Sequence, residues 1–134
     1  MTAASLMYFA DRVTICSDTR VYDDLGSAVG HAGKVYPIPH LRALFFGRGK
    51  LSITSTIVVK LLLSPQLHTF DDAAAALSDL YQAVTDEWCE ATGFDRTGQP
   101  LHECCFAGWS EMKQQVRLAF ASSIDDFALH FQES

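Results

Sequence analysis

Apolar residues fall in short runs at the front of the chain and in longer stripes behind them. Residues 6–9 (LMYF) and 13–16 (VTIC) flank Ala10-Asp11-Arg12. They are apolar at alternate and adjacent positions, which predicts two short strands buried on both faces. Residues 21–33 are polar and glycine-bearing, hence a loop. Residues 34–38 read as a short extended piece, stopped by Pro37 and Pro39. Residues 41–46 (LRALFF) read as a further strand ending at Gly47-Arg48-Gly49.

Residues 50–64 (KLSITSTIVVKLLLS) carry β-branched side chains suited to a strand. The run is long for a strand, so a buried helix closed by Pro65 is expected. Thr69 then caps a second helix, with Asp71 and Asp72 in the first turn, where the dipole favours acids. Ala73, Leu77, Leu80, Tyr81, Val84 and Trp88 follow helical spacing, and Gly93 marks the end. Residues 102–109 and 115–121 read as a hairpin around residues 110–113. The tail is a last strand or a short helix. Strands grouped with strands and helices with helices make an α+β domain over residues 1–134, with antiparallel strands and helices packed on sheet.

Composition narrows the function. The chain has 134 residues, 49% of them hydrophobic and 19% charged, which is globular. Its net charge of −6 argues against a nucleic-acid partner, which needs clustered Lys and Arg. The four cysteines form no CxxC pair and are read as buried free thiols, Cys16 included. The histidines show no metal-ligand spacing, and neither metal nor cofactor is expected. Gly47-Arg48-Gly49-Lys50 is no phosphate loop, since Leu51 follows the lysine. The first apolar run lacks a basic flank and breaks at Asp11-Arg12, unlike a signal peptide. Residues 57–63 are interrupted by Lys60 and too short to span a bilayer. A cytoplasmic protein without membrane partners is expected.

The front end carries the candidate chemistry. With a three-residue turn at Ala10-Asp11-Arg12, Thr2 falls opposite Arg20, and Asp18 is its near neighbour at the open end. A two-residue turn would change that relation. A threonine whose own α-amine is free carries its base within the same residue. That amine has an ordinary pKa of about 7.7–8.0. A nearby lysine lowers it further, and the lysine needs a carboxylate to hold it.

MTAASLMYFADRVTICSDTR followed by GKVYPIPHLRALFFGRG resembles the proteasome β-subunit branch of the N-terminal-nucleophile (Ntn) hydrolases, including the bacterial proteasome-like proteases. In that pattern a Thr opens the first strand, an Asp closes the second, a Lys begins the third and a glycine turn ends the fourth. Thr2, Asp18 and Lys34 fall at the family spacing without insertions. The resemblance implies antiparallel sheets packed with helices in an αββα sandwich. The chain ends where the family continues with further elements, so a C-terminally shortened member is expected. It implies that Thr2, freed of Met1, attacks a peptide carbonyl while its α-amine moves the proton. Lys34 would tune Thr2, Asp18 would orient Lys34, and the Arg48 and Gly49 backbone would bind the oxyanion. Arg48 stands where the family usually has glycine.

Two functions follow. One is a threonine-type peptidase subunit of a homo-oligomeric ring or stack, acting on peptides or unfolded polypeptide, with an ATP-dependent unfoldase as a candidate partner. The alternative is a catalytically silent Ntn-fold component of a larger complex or particle. A fold missing outer elements leaves surface uncovered, so oligomerisation is expected under both.

Overall fold

The computed structural model describes residues 3–97 and 101–132. In chain order the elements are β1 (Ala4–Phe9), β2 (Arg12–Ser17), β3 (Arg20–Tyr22), β4 (Ala28–His31), β5 (Val35–Ile38), β6 (Ala43–Gly49), α1 (Leu51–Leu63), α2 (Phe70–Thr92), β7 (His102–Ser110), β8 (Gln115–Ser122) and β9 (His130–Phe131). Short 3-10 turns at Pro39–Leu41 and Ser123–Asp125 join neighbouring strands. The tail thus holds both a turn and a strand.

β5 to β9 form one five-stranded antiparallel sheet in sequence order. Alternation along its central strands sends side chains to two cores. Ala43, Phe45, Cys104, Phe106 and Ala121 face the helices, with Ile53, Ile57 and Leu61 of α1 and Phe70, Ala73, Leu77 and Tyr81 of α2. Phe46, Cys105, Ala107 and Leu118 face the β1–β2 hairpin. The described residues therefore stack as a helix layer, a five-stranded sheet and a hairpin layer.

α1 is helical despite its β-branched content. Ile53, Thr54, Ile57, Val58 and Leu61 lie on one buried stripe, and burial outweighs the modest propensity cost. α2 is fixed at both ends. The Thr69 hydroxyl accepts the Asp72 N–H at 3.1 Å while the Asp72 carboxylate accepts the Thr69 N–H at 3.1 Å. Gly93, at φ 72°, ends it.

Four expectations are corrected. The β1–β2 turn has two residues, since Phe9 pairs with Arg12 and Leu6 with Ile15. This register gathers Leu6, Tyr8, Val13 and Ile15 on one face, against the main sheet. A three-residue turn would instead have set Thr14 and Cys16 among them, so hydrophobic pattern selects the shorter turn. It also leaves the outer face of the hairpin in water, so Met7, Phe9 and Cys16 are exposed rather than buried. Residues 21–33 hold the small β3–β4 hairpin instead of plain loop. The Asp23 carboxylate accepts the N–H groups of Leu25 and Ser27, and Gly26 closes the turn at φ 83°. β4 is exposed throughout, so no hydrophobic pattern announces it. Finally, Gly47, Arg48 and Gly49 are paired to Cys104, Glu103 and His102 within β6, and the chain turns only after them.

Candidate active site

Thr2 lies outside the described residues. What the structure describes is the ground beside it. Asp18 follows β2 and continues its pairing: the Asp18 N–H donates to the Ala3 carbonyl at 3.0 Å. The Ala3 N–H in turn donates to the Asp18 carboxylate at 3.3 Å. Asp18 thus stands at the open end of the hairpin opposite Ala3, and the two-residue turn removes the register from which a Thr2–Asp18 neighbourhood was expected.

Lys34 immediately precedes β5 and is buried, with 7% of its side chain exposed. Its ammonium donates to Asp18 Oδ1 at 2.7 Å. A lysine this far from water keeps its charge only with an anion at hand. The Lys34 hydrogen bond, joined by the Ala3 N–H, holds the Asp18 carboxyl below its ordinary value, against a smaller opposing effect of burial. One carboxylate therefore ties the first strand to the buried ammonium.

Lys34 also walls a cavity of about 130 Å³ with Gly47, Gly49 and Thr54. Arg20, Asp24 and Lys50 also line it, and Lys50 donates to Asp24 at 2.8 Å. That ion pair joins the β3–β4 hairpin to the start of α1. The cavity is where Lys34 and the end of β6 meet. The Arg48 side chain is turned outward, 3.7 Å from Glu103, and takes no part in that wall.

The end of β6 needs its glycines. A Cβ on Gly47 would collide with the Thr54 side chain. Gly49, at φ 114°, would drive a Cβ into the Leu101 carbonyl. The backbone at Gly47–Gly49 is thus pressed between α1 and the start of β7.

Sequence reasoning passed over a third group. Thr54, Tyr81 and His102 are buried together, at 2%, 0% and 2% exposure. His102 Nε2 lies 2.7 Å from Thr54 Oγ1, and His102 Nδ1 lies 2.9 Å from the Tyr81 hydroxyl. That hydroxyl donates to the His102 carbonyl at 2.6 Å. Burial pushes the His102 imidazole down to about 4 and the Tyr81 phenol up. A signal was present: His102 shares the period-two face of Cys104 and Phe106, so a histidine opens an apolar strand face. Among the described residues no group of three or more His, Cys, Asp and Glu could hold a metal ion.

No family model matches the chain, and no curated protein matches it. Among solved structures it is similar to Anbu (ancestral beta-subunit) from Yersinia bercovieri, with a TM-score of 0.71 over 99% of this chain at 15% sequence identity. The chain spans 56% of the length of that structure. The likeness is one of fold: an α+β arrangement of antiparallel sheets and helices.

Proposed function

We propose that the chain is a proteasome-like subunit that hydrolyses peptide amide bonds, with Thr2 as nucleophile once Met1 is removed. The observation that carries this reading is the Lys34–Asp18–Ala3 connection. A buried ammonium is tied through one carboxylate to the backbone of the residue that follows Thr2.

The chemistry follows from the groups at hand. The Thr2 α-amine takes the hydroxyl proton as Oγ attacks the carbonyl carbon. The Lys34 ammonium lowers the pKa of both Thr2 groups through its field, and Asp18 fixes where that charge sits. The carbonyl oxygen gains negative charge facing the backbone N–H groups of Arg48 and Gly49. As the C–N bond breaks, the Thr2 ammonium returns its proton to the leaving amine, leaving an ester on Thr2. Water, deprotonated by the same amine, attacks that ester and frees the acid. A small residue behind Met1 suits aminopeptidase trimming, without which the base is an amide nitrogen.

The same reading makes the partner a peptide or unfolded polypeptide, and the working form a homo-oligomer supplied by an unfoldase. The test is hydrolysis of a fluorogenic peptide-amide reporter by purified protein and by Thr2→Ala. Loss of turnover in the variant is the expected result. Equal turnover in the two proteins removes Thr2 from the mechanism.

A further inference from the structure

The proton positions around His102 can be assigned from donor and acceptor chemistry. The Tyr81 hydroxyl has one proton and lies against the His102 carbonyl, His102 Nδ1 and Ser123. A carbonyl only accepts, so the phenol proton goes there and the phenol oxygen accepts from Nδ1–H. A neutral imidazole then has a bare Nε2, which accepts from the Thr54 hydroxyl at 2.7 Å. The three hydrogen bonds then run in one direction, Thr54 to His102 to Tyr81 to the His102 backbone.

Thr54 is the unusual member. Ser55, Thr56, Thr85 and Thr92 turn their hydroxyls back to carbonyls four residues earlier on their own helices. Thr54 gives its proton to His102 instead, and this fixes the side-chain orientation that sits against Gly47. His102 is in turn the strand partner of Gly49. Its N–H and that of Leu101 both donate to Ser123 Oγ at 3.1 Å, anchoring the start of β7. The end of β6 is therefore held from the helix side by Thr54 and from the strand side by His102, and one hydrogen bond links the two supports.

We infer that Thr54, His102 and Tyr81 are positioning residues that fix the Gly47–Gly49 backbone, and with it the N–H groups of Arg48 and Gly49. The inference rests on the amide-hydrolase reading for its consequence and on backbone mobility for its geometry. The two are separable.

The test compares Thr54→Val, Thr54→Ser and Thr85→Val. Thr85 is an equally buried helical hydroxyl that donates back to the Tyr81 carbonyl of its own helix. Steady-state hydrolysis of the peptide-amide reporter is measured together with amide hydrogen exchange at residues 47–49. Thr54→Val should lower kcat about tenfold or more with KM within about twofold, because a small displacement of a transition-state donor costs turnover. It should also speed exchange at residues 47–49. Thr54→Ser should restore both, and Thr85→Val should lower the melting temperature while leaving both unchanged. Wild-type kcat and exchange in Thr54→Val overturn the inference. So does a kcat loss shared by Thr85→Val or not rescued by serine. If wild-type protein does not turn over the reporter, the hydrolase reading fails; the exchange comparison still decides whether Thr54 holds the strand end.

Discussion

Two polar clusters flank the end of β6, and they solve burial in opposite ways. Lys34 and Asp18 keep full charges. The ammonium is buried, but its carboxylate is one-third exposed and anchored to the Ala3 backbone. Thr54, His102 and Tyr81 are closed off from water and remain neutral, each proton directed to one acceptor. A charge pair half in water costs little to keep and can act on a neighbouring group through its field. A neutral chain in the core exerts no such field and instead fixes geometry. The contrast assigns tuning to the first cluster and rigidity to the second.

The sharpest way to break that assignment is Lys34→Ala. Hydrolysis of a peptide-amide reporter should fall about a thousandfold, the scale of a lost proton-transfer aid, with a modest change in melting temperature. Retained activity would remove Lys34 from tuning. His102→Ala should do the reverse in kind. It strands the Thr54 donor and opens a cavity, at a cost of about 3 kcal/mol in chemical denaturation.

The pH dependence of stability separates the clusters as well. The unfolded imidazole has its ordinary pKa of 6.5, and the folded His102 is pushed down to about 4. The unfolded chain therefore binds this proton first as pH falls. Stability from neutral His102 is complete above pH 6.5 and declines down to about pH 4, a total of about 3 kcal/mol. Urea melts across that window should show the slope in the wild type and lose it in His102→Ala. Asp18 acts in the same sense at lower pH, since its carboxyl lies below its ordinary value. Asp18→Asn keeps the shape but removes the anion beside the buried Lys34 ammonium, so reporter turnover should fall toward the Lys34→Ala level and the melting temperature should drop.

Much of this was legible in the residues. Thr69, Asp72 and Gly93 announced α2, and the family resemblance implied that Asp18 holds Lys34, two residues that the fold joins in an ion pair. The hairpin register was misjudged as a three-residue turn, although the two-residue turn is the one of the two that brings Leu6, Tyr8, Val13 and Ile15 onto one face. Turn length alone does not reveal it. The β3–β4 hairpin was not legible, since an exposed strand has no apolar period and rests on Asp23 and Gly26. His102 was hidden for another reason. Its partners come from two helices distant in sequence, and one histidine on an apolar face does not name them.

The central claim is that Thr2, freed of Met1, is the nucleophile. The most direct measurement is the intact mass of the purified protein after treatment with an acylating β-lactone. The account predicts a species lacking one methionine residue and carrying one acyl group, with the acyl group absent from Thr2→Ala. A mass that retains Met1, or a processed chain that takes up no acyl group, would contradict it.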